Sequence, residues 1–221
     1  MRRRTIPAVF DALLAQHGPQ GWWPAEDRFE IMAGAVLVQR TAWRNAAQAI
    51  QRLKARGALA AEQLAAVDST FLETMIKPAG FFRVKAARLK ALARFVVASG
   101  GVDALSRQAT PSLRTTLLSQ QGIGPETADA ILGYAFERPV FVVDAYARRL
   151  FERLGSPDPL PSDFDLKADC EAEISTATNL NELHALIVAH SQRCCAAVPD
   201  CARCSLRLRC GYAAAAARCS A

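Results

Sequence analysis

Apolar residues recur along this chain mostly at spacings of three and four positions, which is the period of amphipathic α-helices. The segment 83–99 shows the pattern, since four apolar residues share one of its faces: Leu89, Leu92, Phe95 and Val96. The basic residues of this segment are expected on its solvent faces: Lys85, Arg88 and Arg94. Eleven such helical segments, separated by Gly, Pro or polar residues, are predicted between positions 6 and 193.

One run departs from the helical period. Residues 139–144 read Pro-Val-Phe-Val-Val-Asp and have the composition of a β-strand. The run is too short and too isolated to found a sheet. We therefore interpret it as a buried extended connector and predict an all-α fold.

Composition fits a folded chain of one or two small domains, with 221 residues, 51% apolar residues and 22% charged residues. No run of about 18 apolar residues occurs, so we expect no membrane-spanning helix. Three residues interrupt any signal-peptide core near the N-terminus: Pro7, Asp11 and His17. We expect a cytoplasmic protein.

The net charge of +6 adds a hint about partners, because 22 of the 27 basic residues are Arg. A guanidinium group binds phosphate through two parallel hydrogen bonds and is always charged. The excess of Arg favours a phosphate-bearing partner such as nucleic acid, although many basic proteins bind nothing acidic.

Four of the seven cysteines have the spacing C-x6-C-x2-C-x5-C: Cys194, Cys201, Cys204 and Cys210. Disulfides are rare in the cytosol, and four thiolates this close together can hold one zinc ion or one iron–sulfur cluster. The spacing favours the cluster, since only Cys201 and Cys204 form the short pair that is typical of zinc sites. Using Cys195 instead of Cys194 would change the first spacing to x5.

Residues 117–132 are predicted to form a helix, a tight turn and a second helix. Gly122 and Gly124 permit a close backbone approach in the turn, and amides at the start of the second helix can bind a phosphate. A plain connection between helices is the alternative. Asp144 follows the connector at a helix start, where it can cap the helix and also stabilise a developing cation in a cleft.

Together the hairpin Gly122-Ile-Gly124, the segment VVDAYARR with Asp144 and the four-cysteine loop resemble the helix-hairpin-helix DNA glycosylases of the endonuclease III superfamily. The resemblance implies two helical domains with a DNA cleft between them: a six-helix domain over 25–137 and an iron–sulfur cluster domain built from 1–24 and 138–221. It also implies a [4Fe–4S] cluster on the four cysteines and Asp144 as the catalytic carboxylate. The implied partner is double-stranded DNA containing damaged bases, and we expect a monomer that is associated with the nucleoid when it is bound to DNA.

One departure from the family bears on the chemistry. In bifunctional members a lysine after the hairpin attacks the sugar and forms a Schiff base, and Glu126 stands at that position here. A carboxylate cannot form an imine, so we expect AP lyase activity to be weak or absent. The resemblance then implies a monofunctional DNA N-glycosylase.

All three tryptophans lie in a segment similar to the 3-methyladenine DNA glycosylases of the endonuclease III type: Trp22, Trp23 and Trp43. In those enzymes aromatic side chains of this segment sandwich the flipped base, and we place Glu126 in the same pocket. An N-alkylated purine is cationic, is attracted to aromatic faces and leaves without being protonated. Alkylated purines such as 3-methyladenine are therefore the expected substrates, while core packing is the alternative role of the tryptophans.

By resemblance, Gln39 and Phe81 occupy the intercalating positions that fill the gap left by the flipped base. The three histidines show no ligand spacing, so packing or hydrogen bonding is expected for each: His17, His184 and His190. Two other functions stay open. One is an endonuclease III-like glycosylase and AP lyase for oxidised pyrimidines, and the other is a non-catalytic DNA-binding protein with the same fold.

Overall fold

The computed structural model describes residues 6–155 and 162–219. This part of the chain forms α-helices and no β-strand, which confirms the predicted all-α fold. The helices within the described residues are α1 (Ile6–His17), α2 (Arg28–Leu37), α3 (Trp43–Lys54), α4 (Ala61–Ala66), α5 (Ser69–Ile76), α6 (Phe82–Ala98), α7 (Val102–Ser106), α8 (Thr110–Leu118), α9 (Pro125–Ala130), α10 (Ala145–Leu154), α11 (Asp163–Glu173), α12 (Ala177–Arg193) and α13 (Gly211–Cys219).

The chain folds into two compact units, and the first combines Met1–Trp22 with Pro139–Ala221. In this unit α12 packs against α1 and α10. Apolar side chains of these helices and of the connector form its core, among them Leu13, Phe141, Leu150 and Leu186. The connector forms neither helix nor strand, and its middle residues, Val140, Phe141 and Val142, are buried, while Pro139 is exposed. The N–H of Phe141 donates to the carboxylate of Glu171 at 2.8 Å.

The second unit, Trp23–Arg138, is organised around α6, which packs against α2, α4 and α5. Leu89, Leu92 and Val96 of α6 are buried, as their spacing predicts. The prediction that Lys85 faces solvent is wrong. Its side chain is buried, and its ammonium group donates to two backbone carbonyl groups of the same unit, which compensate for the lost contact with water.

One predicted helix changes character along its length, and one short helix was not predicted. The helix expected over 125–136 ends as α9 at Ala130 and continues as a π-helical turn, Ile131–Ala135. Helix α7 was not predicted, because five residues are too few to show a helical period. None of the helices in the described ranges has the length and apolar character needed to cross a membrane.

Candidate functional site

Asp144 ends the connector and caps the N-terminus of α10. Its Oδ1 atom accepts a hydrogen bond from the backbone N–H of Ala147 at 2.7 Å. Aspartate is favoured at this position because its carboxylate pairs with amides that lack a partner within the helix. The side chain is 11% exposed, so the structure holds a carboxylate in a nearly dry environment at the positive end of a helix.

His184 of α12 faces the same carboxylate, with its Nε2 atom 3.5 Å from Oδ2 of Asp144. Burial raises the pKa of Asp144, but His184 and the amides of Ala147 and Tyr146 together lower it more, so that the pKa lies below its ordinary value. Asp144 is therefore ionised at neutral pH. The ring of Trp22 packs edge-on against that of His184, with 6.3 Å between the centroids.

The four predicted ligand cysteines line one pocket of the first unit. Cys194 caps the C-terminus of α12, while Cys201 begins a short 3-10 turn and Cys204 follows that turn. Cys210 follows a second turn of this kind. Leu206 lines the same pocket and is 1% exposed, so an apolar side chain anchors the loop that carries the cysteines.

His190 is a further donor at this pocket, which the cysteine spacing does not reveal. Its Nε2 atom lies 3.5 Å from Sγ of Cys204, and its Nδ1 atom lies 3.0 Å from Nε2 of His17. Burial, together with His17, lowers the pKa of His190 to about 4, so the ring is neutral at neutral pH. The donor atoms of His190, Cys194 and Cys204 lie within 4.8 Å of one another, a group that can hold a metal.

Cys195 lines the same pocket as the four predicted ligands, and it also contacts two arginines of α10. Its carbonyl oxygen accepts hydrogen bonds from Arg149 at 3.1 Å and from Arg153 at 3.2 Å. Arg153 also lies 3.2 Å from the sulfur of Cys195 and donates to the carbonyl of Ala196 at 2.6 Å. Helix α10 therefore carries Asp144 at its start and holds the cysteine loop through two arginines further along.

The donor set fits a centre that binds thiolates. Burial raises the pKa of the thiols of Cys194 and Cys201, and it raises that of Cys204 to about 12. Buried thiols lose their protons at neutral pH only beside strong positive charge, which a metal centre supplies. Either zinc or an iron–sulfur cluster could use these ligands.

Helices α8 and α9 and the turn between them form the predicted hairpin, in which the two glycines differ. Gly122 has φ of +83°, and a Cβ atom there would lie 2.4 Å from Cδ and Nε of Arg88. Gly124 has φ of −92°, and no atom lies within 4 Å of the position its Cβ would take. Backbone conformation and packing therefore both favour glycine at position 122, and neither favours it at position 124.

The side chain of Gln39 links the end of α2 to this hairpin. Its Nε2 atom donates to the carbonyl of Gly122 at 3.0 Å and to Oγ1 of Thr127 at 2.9 Å. Its Oε1 atom accepts a hydrogen bond from Arg88 at 2.5 Å. Both ends of the amide are used, so Gln39 and Arg88 together fix the position of the turn. The sequence pattern placed Arg88 on a solvent face and missed this role.

Two further predicted residues, Glu126 and Phe81, are exposed. Glu126 lies in the first turn of α9. Phe81 precedes α6 with a left-handed backbone, φ of +46°, and 65% of its surface is exposed. A large apolar residue with positive φ is strained. Because the ring is also exposed, packing within the second unit does not explain the conformation of Phe81.

Trp23 and Trp43 pack edge to face in the second unit, with 5.0 Å between the ring centroids. Tyr134 joins them, 5.3 Å from Trp23, and the Trp23 ring covers Gly34 so closely that a Cβ there would lie 3.1 Å away. Within the part of the chain that the structure describes, the buried indole N–H of Trp23 has no hydrogen-bond partner. All three tryptophans are half-buried, and Trp22 makes its ring contact in the first unit.

Comparison with known proteins identifies the family. The sequence profile of the HhH-GPD superfamily of base excision DNA repair proteins matches residues 33–175. A protein of Methanocaldococcus jannaschii named as a DNA repair glycosylase is 39% identical over 209 residues, which cover 93% of this chain and 95% of the relative.

Solved structures agree with this family. The 3-methyladenine DNA glycosylase of H. pylori, solved with 1,N6-ethenoadenine, superposes with a TM-score of 0.76 at 29% identity, covering 86% of this chain and 98% of that one. An endonuclease III–DNA complex gives a TM-score of 0.81 at 20% identity, covers 96% and 97% of the two chains, and supports the fold alone. The resemblance inferred from the sequence is confirmed, and the chain belongs to the HhH-GPD superfamily of base excision DNA repair glycosylases.

Proposed function

We propose that this chain is a monofunctional DNA N-glycosylase, which acts as a monomer on damaged duplex DNA and releases alkylated purines such as 3-methyladenine. The observation that carries the proposal is the nearly buried, ionised carboxylate of Asp144 beside His184. Glu126, which stands where a lyase has its amine, restricts the reaction to base release. The similarity to an H. pylori enzyme named as a 3-methyladenine DNA glycosylase supports the substrate class.

Asp144 supplies negative charge where the reaction develops positive charge. Cleavage of the bond between base and sugar passes through a transition state with oxocarbenium character on the sugar. A carboxylate that is already oriented in a dry site stabilises this charge without reorganising. The amide of Ala147 and the ring of His184 keep the carboxylate of Asp144 ionised and oriented, so that it can face the sugar cation or position a water molecule.

The charge of the base explains why a single carboxylate suffices. An N-alkylated purine is cationic before the bond breaks and becomes neutral as it leaves, so the enzyme does not have to donate a proton. A neutral oxidised pyrimidine needs more help from the enzyme, such as a general acid or a lysine nucleophile. Asp144 with Glu126 therefore suits an alkylated purine better than it suits a pyrimidine.

Aromatic residues provide the recognition that a cationic base requires. We assign Trp22, Trp23, Trp43 and Glu126 to the base pocket. Trp23 and Trp43 already pack together in the second unit, and a cation above such a ring gains roughly 0.5–2 kcal/mol. The carboxylate of Glu126 adds an attraction that a neutral base would not experience.

We assign Phe81 and Gln39 to base flipping and the hairpin glycines, Gly122 and Gly124, to the DNA backbone. Extrusion of a nucleotide costs a few kcal/mol and opens a gap in the base stack. The exposed ring of Phe81, carried on a strained backbone, is suited to enter such a gap as an apolar wedge. Gln39 would exchange its hydrogen bonds with the hairpin for contacts with the opposite base.

We assign a [4Fe–4S] cluster to Cys194, Cys201, Cys204 and Cys210, which line one pocket. We prefer the cluster to zinc because of their spacing and the resemblance to the endonuclease III superfamily. When bound, the cluster cross-links the loop between α12 and α13 and makes it rigid. Purified protein should contain iron and acid-labile sulfide in equal amounts, and Cys194→Ser should lose both. Cys195→Ser is the matched control and should keep both. Zinc without iron, or a loss caused by Cys195→Ser instead, would contradict the assignment.

The central test is release of free 3-methyladenine from alkylated duplex DNA, together with borohydride trapping on a duplex that contains an abasic site. We expect base release and no covalent complex with the wild type. Glu126→Lys should gain a trapped complex, because it restores an amine at the position of Glu126. A strong wild-type adduct would contradict the monofunctional reaction. Release of oxidised pyrimidines alone would favour the endonuclease III-like function, and binding without any release would favour a non-catalytic DNA-binding protein.

A further inference from the structure

Lys85 is a buried ammonium group that the proposed chemistry does not use. It lies in the first turn of α6, and its side chain is 2% exposed. Its Nζ atom donates to the carbonyl of Leu37 at 2.9 Å and to the carbonyl of Ala79 at 2.7 Å. Leu37 ends α2, and Ala79 ends a 3-10 turn that precedes α6. One side chain therefore ties together two segments that are 42 positions apart in the sequence.

Each of these carbonyl groups lies two residues before a residue that we assign to base flipping. Leu37 precedes Gln39, and Ala79 precedes Phe81. The second segment is strained at Phe81, a non-glycine residue with φ of +46°. The preceding Gly80 has φ of +69°, which glycine adopts without strain. A strained residue persists only where its surroundings hold it, and the hydrogen bond from Lys85 to the carbonyl of Ala79 restrains the backbone just before Phe81.

Arg88, one turn further along α6, restrains the first segment at its other end. It donates to Oε1 of Gln39 at 2.5 Å, and it packs against the face of Gly122 where a Cβ atom would lie. The Gln39 segment is thus held by Lys85 at its start and by Arg88 at its tip. Both restraints come from the same helix that begins directly after Phe81.

We infer that Lys85 is a positioning residue for base flipping, which fixes the backbone of the Gln39 and Phe81 segments relative to each other so that both side chains reach the DNA in one arrangement. This inference rests on the proposed function of those two residues. Burying an ammonium group is costly, whereas an apolar residue at position 85 would leave two buried carbonyl groups without donors. The cost of burying the ammonium group is offset because this one group donates to a carbonyl of each segment.

The charge of Lys85 is consistent with this role. Burial, with a smaller contribution from Arg88, lowers the pKa of Lys85 to about 8, so the ammonium form still predominates at neutral pH. That form has three N–H donors, two of which the carbonyls of Leu37 and Ala79 use.

The test compares Lys85→Met with Lys90→Met in the full-length protein. Lys90 is the matched control, because it lies on the same helix and also donates to a backbone carbonyl, that of Val67 at 2.5 Å, but not in the two flipping segments. The probe is a duplex with a tetrahydrofuran abasic analogue opposite 2-aminopurine. Affinity relative to an undamaged duplex and the change in 2-aminopurine fluorescence are measured.

We expect Lys85→Met to lower the preference for the abasic duplex by about tenfold or more and to abolish the fluorescence change, while affinity for undamaged duplex stays the same. Lys90→Met should behave like the wild type. Lys85→Gln keeps two N–H donors and should recover part of the preference for the abasic duplex. If Lys85→Met does not fold, Lys85→Gln is compared with the wild type in its place. In a Gln39→Ala, Phe81→Ala background, Lys85→Gln should have no further effect, since Lys85 acts through those residues.

Three results would overturn the inference: Lys85 variants that keep the wild-type preference, Lys90→Met losing as much as Lys85→Met, or a wild type without any preference for the abasic duplex. None of these measurements depends on base release. A wild type that prefers the abasic duplex but releases no base would contradict the proposed function, and the Lys85 inference would still be decided by its own variants.

Discussion

Asp144 of the first unit and Lys85 of the second unit are both charged side chains with little exposure, and their surroundings act on the two charges in opposite ways. In the first unit the carboxylate of Asp144 has its pKa lowered below the ordinary value, which reinforces its charge. In the second unit Lys85 has its pKa lowered to about 8, which weakens its charge. Asp144 has His184 and helix amides as partners, whereas Lys85 has only neutral carbonyl groups and lies near the cation of Arg88.

This difference separates two uses of a buried charge. The environment of Asp144 favours ionisation, as a group that must face a developing cation requires. The environment of Lys85 accepts hydrogen bonds from the ammonium group, although burial makes the charged form less favourable. On the proposed function, Asp144 is the charge that serves the chemistry, and on the further inference Lys85 is the charge that sets the shape of two segments. Each prediction below tests one side of this contrast.

The largest effect is expected from Asp144→Asn. Asparagine caps a helix as well as aspartate does, so the fold and thermal stability should change little. Base release should fall on the order of 10²–10³-fold or more, because the negative charge is lost from the reacting centre. Single-turnover release of 3-methyladenine is the measurement.

Asp163→Asn is the matched control for Asp144→Asn. Asp163 is an acid at the start of α11, its side chain is 54% exposed, and it pairs with Arg148. An exposed pair of this kind contributes at most about 1 kcal/mol, so release should stay at the wild-type rate. Equal losses in the two variants would show that Asp144 has no special role.

Two residues show how far the sequence predicts this site. The helical period predicted α10 and α12, and the isolated apolar run predicted the connector, so the position of Asp144 at a helix start followed from local pattern alone. His184 could not be paired with it, because 40 residues separate them and only tertiary packing brings Nε2 to 3.5 Å from the carboxylate. Local pattern specifies elements and their caps, but not which elements meet.

Lys85 differs, because a signal for its burial was present. Positions 85, 89, 92 and 96 follow spacings of four, three and four, so Lys85 lies on the apolar face of its helix with Leu89, Leu92 and Val96. The charge of lysine favoured a position in solvent, whereas the helical spacing placed residue 85 on the buried face. A polar residue that interrupts an apolar stripe near a helix start indicates a buried donor, and the partners of that donor again require the structure.

The next effect concerns His184→Leu. Burial raises the pKa of Asp144, and His184 is one of the groups that lower it. Without the histidine, the pKa of Asp144 should therefore rise. In the wild type, Asp144 stays ionised down to below pH 3.8, its ordinary pKa, and should add no acid limb to the rate at higher pH. In the variant the acid limb should move to higher pH, so that release is slowed more at pH 5 than at pH 8. The pH dependence of single-turnover release measures the shift, and an unchanged limb would contradict the pairing.

A smaller effect is expected in the hairpin of the second unit. Gly122→Ala should cost about 1–3 kcal/mol of unfolding free energy, since the new Cβ requires a strained φ and displaces Arg88. Gly124→Ala is the matched control and should change stability by less than about 0.5 kcal/mol. In an Arg88→Ala background the cost of Gly122→Ala should decrease to its backbone part. Denaturant unfolding of the four variants provides the measurement.

The smallest effect is the pH dependence of stability that Lys85 causes. Because the folded pKa of about 8 lies below the ordinary value of 10.5, the unfolded chain binds more protons at Lys85 between these two pH values. The unfolding free energy of the wild type should therefore rise with pH in this window relative to Lys85→Met, by less than about 1.4 kcal/mol per pH unit, the limit for one proton. Urea unfolding of both proteins at pH 7.5 and pH 9.5 measures the difference, and other titrating groups cancel in the comparison. If the unfolding free energy of the wild type relative to Lys85→Met instead falls with pH, the carbonyl groups favour the ammonium form. The surroundings of Lys85 would then stabilise its charge, as those of Asp144 do.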